Sequence, residues 1–479
     1  MSEVLLAERP MADGDEQALP DLNAPAKNPL LDYAILPTLL RLTWPNVVAL
    51  SAGTVVVIFE TTYVGRLGTE ALAAMALVFP FVMLTMTMSG GAMGGGVSSA
   101  IARALGAGDR ERADMLAGHA LLIAICFGLF FTIVMLTFGP ALLRLLGGRG
   151  NVLSQALGYI TIFFAGGVIP WLMNTFASIL RGTGNMKMPS ALQTTAALLQ
   201  IVLGGALGLG FGPIPQFGMR GVAAGTLTAF TFGACVMGWH LFSGRARVRP
   251  KLSGIQRGMF FDILKVGAVA CFSPLQNVLT LTIFTHMLAR FGTEVLAGYG
   301  IGARLEFMLT TLAFAVGVAS VPIVGMSIGA GRISRARGVA WTGSAIVFVV
   351  VGLLGTLIAI FPHVWVNLFT NDAGVRGASR TYLATCAPMY AFLALATVSY
   401  FASQGAAKVL GPVLAQTARL VFVCTGGWYL LSIDASAMSF FWLAAASMVL
   451  LGVLSAASVL LTRWGPKGGP VPEIRPELS

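Results

Sequence analysis

From about residue 35 to residue 462 the chain is a succession of long apolar runs separated by short polar stretches. Within a run the apolar residues are continuous and show none of the period-two alternation of a half-buried strand. Each run is long enough to cross the roughly 30 Å hydrocarbon core of a bilayer as a helix of about 20 residues. Twelve runs are legible, at 35–64, 71–98, 116–138, 153–180, 189–211, 219–242, 260–289, 295–326, 339–362, 381–404, 410–432 and 436–462. Only helices and closed barrels satisfy their backbone groups in lipid. The pattern therefore predicts an all-α membrane protein with twelve transmembrane helices.

Composition fits lipid as the solvent. Charged residues make up 10% of the 479 and mean hydropathy is +0.83, against about 25% charge in a soluble domain. The net charge of +11 is explained by basic residues in loops and leaves no basic and aromatic surface for nucleic acid. Loops two, four, six, eight and ten hold fourteen Lys and Arg, among them Arg103, Arg181, Arg245 and Arg332, while the alternate loops hold seven, among them Arg66 and Arg290. By the positive-inside rule the chain is a multi-pass protein of the cell (inner) membrane with both termini cytoplasmic. Residues 1–34 are polar and acidic and read as a disordered tail without a signal peptide, and 463–479 read as a second tail. The five cysteines, Cys126, Cys235, Cys271, Cys386 and Cys424, fall inside spans without metal-ligand spacing. No cofactor or metal is expected, and the histidines read as interfacial or structural.

An internal repeat organises the spans. RLGTEALA at 66–73 recurs as RFGTEVLA at 290–297, Gly106, Ala107, Gly108, Arg112 and Ala113 recur as Gly329, Ala330, Gly331, Arg335 and Ala336, and Gly182 and Pro189 recur as Gly405 and Pro412. The register holds at 223 or 224 residues throughout. Six spans per half preserve the sense of insertion, so the halves are expected as parallel six-helix bundles related by a pseudo-two-fold axis along the membrane normal. The boundaries expected are 35–242 for the first bundle, 243–258 for a cytoplasmic linker and 259–462 for the second. Such a pair encloses a cleft that rocking exposes to either side. A monomer in contact with membrane lipid suffices for this.

Ionisable groups inside a span cost roughly 2.5–3.5 kcal/mol or more at a helix centre and are functional candidates by default. Three stand out. Glu60 lies late in the first span, where a carboxyl can exchange a proton for a cation, although an interfacial Glu reaching to water is the plain alternative. Glu306 lies twelve residues past Glu294, about 18 Å further along a helix, near mid-membrane. Arg304, two residues away, does not face it on a helix, so each needs a partner from another span, either in a functional site or in a structural ion pair. Among uncharged polar residues inside spans are Gln200, Gln276 and Asn277, for which interhelical hydrogen bonding is the commoner role. The glycines between Gly90 and Gly96 read as close helix packing.

The segments FETTYVGRLGTEALA at 59–73, ARALGAG at 102–108, ILRGTGNMKMP at 179–189 and GYGIGARLEF at 298–307, taken in order, resemble the multidrug and toxic compound extrusion (MATE) family. The likeness covers about residues 35–460. It implies efflux of small organic molecules, amphiphilic and often cationic, in exchange for H+ or Na+, with no enzymatic step. It places Glu60 where the family usually has Asp in the first span and makes it the principal coupling group. Asn277, with Gln276 beside it, stands where many members have a seventh-span Glu. Gly204, after Gln200, stands where one branch has a fifth-span Asp, and Leu393 falls near a tenth-span Asp of some sodium-coupled members. These departures leave the coupling ion open. The wider superfamily also holds flippases for lipid-linked sugars, a reading that wants cations in the cleft, where Arg304 is the evident one.

Overall fold

The computed structural model describes residues 28–465 except 214 and 253, and every regular element among them is helical. Twelve columns follow one another: α1 Ile35–Arg66, α2 Thr69–Gly106, α3 Arg110–Leu145, α4 Gly150–Gly182, α5 Lys187–Leu209 and α6 Gly218–Phe242, then α7 Arg257–Phe291, α8 Thr293–Gly329, α9 Ile333–Ile360, α10 Ala373–Gly405, α11 Leu410–Ser432 and α12 Ala437–Leu461. Ten of these are individually long and apolar enough to cross a membrane. An eleventh, α4, bends by 51° between Ala165 and Val168. The remaining column, α11, carries Gln416 and Arg419 near its centre, which lowers its hydropathy. The twelve expected runs each fall on one column.

The repeat is written in the backbone. Left-handed residues terminate corresponding helices at Gly68 (φ 117°) and Gly292 (φ 96°), at Gly108 (φ 78°) and Gly331 (φ 73°), and at Gly184 (φ 86°) and Ala407 (φ 56°). Asp109 caps α3 by accepting from the amide of Arg112 at 2.9 Å, as an N-cap carboxylate does.

α2 and α8 cross near the end of the molecule that carries both described termini. A Cβ on Gly106 would lie 2.2 Å from the Met326 carbonyl oxygen, and one on Gly329 would lie 2.1 Å from that of Arg103. Glycine is what lets the two backbones meet, the small-residue packing of membrane helices. The expectation for the Gly90–Gly96 run is met differently along its length. Thr87–Met93 is a π-helical turn, and the glycines beyond it pack on Ser178, Gln404 and Gly267. From this crossing the bundles diverge. The first half of α2 packs mainly on α4 and α1 of its own bundle, whereas its second half packs both on α3 and α4 of that bundle and on α8, α7 and α10.

Two segments between or before the bundles are held in place. The 243–258 stretch is pinned to α3: Asp114 Oδ1 accepts from the Arg249 amide at 2.8 Å, the Asp114 carbonyl accepts from the Lys251 amide at 3.0 Å, and His119 Nε2 accepts from the Gln256 amide at 3.0 Å. The first half of α7, through Ile263, Val266 and Ala270, shares an apolar core with Val97, Ala120 and Trp171 of the first bundle. Before α1, where the sequence suggests a continuous disordered tail to residue 34, the chain forms a one-turn helix, Pro29–Asp32, capped by Asn28. It is fixed because Leu30 is buried against Gly184 while Arg332 and Arg335 donate to the carbonyls of Leu31 (2.8 Å), Leu30 (3.1 Å) and Tyr33 (2.6 Å). Residues 1–27 and 466–479 of the expected tails lie outside the described residues.

Candidate functional site

Glu60 and Tyr63 lie one turn apart on α1, so their side chains share a face. That face turns into the first bundle. Glu60 is 8% exposed, and among the described residues neither its Oε1 nor the Tyr63 hydroxyl has a hydrogen-bond partner. Opposite stands α5, where a Cβ on Gly204 would lie 2.6 Å from the Tyr63 hydroxyl. Gln200, one turn earlier on α5, is also buried. Tyr159 of α4, fully enclosed, is within electrostatic reach of Glu60 and close to Thr226 of α6. A buried carboxyl thus lies near two phenols in a medium where a polar group without a partner is expensive.

The second bundle holds a cavity of about 490 Å³. Its walls come from α7, α8, α10, α11 and α12, and its mouth is lined by Leu50 of α1 and by Met83, Thr87 and Gly91 of α2. It therefore opens into the cleft between the bundles. Glu306 and Arg419 both line it, from α8 and α11, together with Asn277 and Tyr382. Arg419 is 8% exposed, and its Nε donates to Ser447 Oγ at 3.4 Å. Among the described residues no carboxylate oxygen lies within 4 Å of it, so Glu306 and Arg419 face the cavity as separate charges. Phe284, Tyr299, Phe307 and Phe314 supply aromatic walls.

The residues singled out from the sequence are thereby sorted. Glu60 and Gln200 sit in the first bundle, and Glu306 and Asn277 in the second. Gln276 ties α7 to α11 by donating to Thr417 Oγ1 at 2.6 Å, and its Oε1 is buried without a described partner. Arg304 departs from expectation. It is exposed, with its guanidinium 5.3 Å from the Phe369 ring centroid, and it does not line the cavity. The cation in the cavity is Arg419, which sequence reasoning passed over although an arginine near the middle of a span is itself the signal. Tyr63 and Tyr159 carried no such signal, because a search for intramembrane charge does not see phenols. Among the described residues no group of three or more His, Cys, Asp or Glu forms a metal cluster.

Comparison with known proteins agrees with this fold. The MatE family model matches residues 45–205 and 270–428, one segment in each half. A protein of Shewanella oneidensis named FAD transporter is 25% identical over 396 residues, covering 82% of this chain and 87% of its own. A probable multidrug resistance protein NorM of Thermotoga maritima is 25% identical over 363 residues, covering 74% and 76%. Among solved structures, a MOP superfamily transporter of Pyrococcus furiosus superposes with a TM-score of 0.82 at 23% identity, covering 90% of this chain and 96% of its own. The Vibrio cholerae MATE transporter VcmN in its bent form gives 0.81 at 20% identity, covering 89% and 96%.

Proposed function

The chain belongs to the MatE family of membrane efflux transporters, and on that premise we propose that it is a secondary antiporter exporting amphiphilic organic compounds in exchange for protons or sodium ions. The observation that carries this reading is Glu60, a buried carboxyl whose Oε1 has no described partner, facing Tyr63 across from Gly204 and Gln200. A group so placed is costly as a bare anion, and a bound proton or metal cation removes that cost. Binding and release of that ion then bias the bundle between two states, which is what coupling requires.

The basic loops support a cytoplasmic location for the terminus-bearing end, in the inner membrane of the cell. The α2–α8 crossing then closes the cytoplasmic side, and the cleft, with the cavity of Glu306 and Arg419 on its wall, faces outward. Transport follows from rocking of two units, 35–242 and 259–462, joined by 243–258 within one monomer. The aromatic walls suit amphiphilic cargo, and Glu306 with Asn277 suits a cation.

A second reading is favoured by Arg419. A cation within the cavity suits anionic cargo, and the relative named FAD transporter points the same way, as does a flippase for lipid-linked sugars, whose pyrophosphate needs a positive partner. Purified protein in liposomes, with a proton gradient and a sodium gradient imposed in turn, separates the coupling ions. Ethidium and FAD as alternative cargoes separate the substrate classes. Glu60→Gln is expected to reduce gradient-driven uptake at least tenfold at equal reconstitution. Parental transport by that variant would remove Glu60 from the mechanism.

A further inference from the structure

A second cavity, of about 440 Å³, lies at the terminus-bearing end where α1, the start of α5 and the end of α6 meet. Arg41 enters it from α1, Lys187 from the first position of α5, and Arg245 and Arg247 from the chain just after α6, with His240 beside them. No Asp or Glu lines it among the described residues. None of the four cations forms an ion pair with a described carboxylate either. Loop cations spread over a membrane face repel one another and gain little by converging. Four that share one hollow, with no carboxylate lining it among the described residues, form a receptor for a compact anion.

The depth of the hollow says where that anion comes from. Arg245 lies over the Trp239 ring, 4.4 Å from its centroid, which orients its guanidinium. Trp239 is 58% exposed and Trp44, one turn from Arg41, is 69% exposed. Exposed tryptophans mark the level of the lipid headgroups. Val48, one turn further along α1 than Trp44, is also exposed and gives an acyl chain an apolar surface below that level. We propose that this cavity binds the phosphate of an anionic phospholipid headgroup, as basic pockets between transmembrane helices do. Its wall includes Leu30 and Tyr33 of the segment that Arg332 and Arg335 hold from the other bundle. A lipid seated there braces the closed end.

The test uses the full chain in nanodiscs of equal phosphatidylglycerol and phosphatidylcholine, with the lipids retained after detergent extraction read by native mass spectrometry. The parent is expected to retain phosphatidylglycerol at least fivefold over phosphatidylcholine. The triple variant Lys187→Gln, Arg245→Gln, Arg247→Gln is expected to lose that preference, while Arg66→Gln, Arg144→Gln, Arg149→Gln, with the same change in charge at the opposite end, keeps it. Lys187→Gln alone serves if the triple variant does not fold, with an expected loss of at least half the preference. Equal retention of the two lipids by the parent, or equal loss in the two triple variants, overturns the proposal. Displacement of the lipid by millimolar inorganic phosphate overturns it too, in favour of a site for the free anion.

Discussion

Gly106 meets the backbone of Met326 where α2 crosses α8, and the repeat makes this contact one of a pair, because Gly329 meets Arg103 in the same way. The two contacts exchange under a shift of 223 residues, as contacts straddling a two-fold axis must.

A side chain at Gly106 has nowhere to go, since the neighbour is a carbonyl and not the end of a flexible side chain. Gly106→Val is therefore expected to force the helices apart, to raise amide hydrogen exchange across 99–106, and to cut transport at least tenfold while membrane insertion is retained. Parental exchange and transport in this variant would show that the crossing does not close the molecule.

Glu306 and Arg419 share a cavity without touching. Removing either charge leaves the other in a poorly solvated chamber without its counterpart. The singles Glu306→Gln and Arg419→Gln are each expected to lower the unfolding temperature in detergent, and the double variant to lose about 1 kcal/mol less than the sum. Strict additivity in that double-mutant cycle would mean that the two charges do not sense each other.

Asp32 has its Oδ1 2.9 Å from Arg332 Nη1 and its Oδ2 2.8 Å from the Asn28 amide. The Arg332 guanidinium first, and the Asn28 amide second, hold its carboxyl below the ordinary value of 3.8. A lowered carboxylate contributes to stability above its unfolded pKa, and the contribution fades as pH falls through the folded one. The 28–34 segment is thus expected to stay docked from pH 8 to pH 5 and to loosen only below about pH 4. Limited proteolysis or hydrogen exchange of 28–34 reads this directly, and Asp32→Asn should loosen the segment at every pH. Release of the parent's segment between pH 7 and 5 would contradict the assignment.

Ala407 holds a left-handed conformation that its repeat partner Gly184 adopts freely. The left-handed region costs a non-glycine residue about 1–2 kcal/mol, partly offset by the greater chain entropy that glycine brings to the unfolded state. Ala407→Gly is expected to stabilise the protein by about 0.5–1 kcal/mol in thermal unfolding. Gly184→Ala should destabilise it, because its Cβ would also fall 2.6 Å from Leu30 Cδ1. A destabilised Ala407→Gly would mean that Ala407 is held by packing that its backbone does not reveal.

The number, order and approximate limits of the helices could be read from hydropathy because lipid imposes one rule on every span. The repeat could be read because the backbone crossing leaves no room for a side chain at Gly106 or Gly329. What could not be read was direction around the helix axis. Arg304 and Glu306, two residues apart, differ by about half a turn, and only packing decides which of them faces inward. Arg419 was visible as a charge, but that it shares a cavity with Glu306 depends on how distant segments pack. The pinning of 243–258 by Asp114 and His119 was hidden for the same reason, since its donors are backbone amides that sequence does not distinguish.

α7 joins its first half to the core of one bundle while its second half packs on α11 of the other, with a break in the helix at Cys271 and Pro274 close behind it. The stretch before it is anchored, so little slack is left there. Under the proposed rocking, swivelling of one half against the other would be taken up inside this single column, with its elbow at Cys271–Pro274.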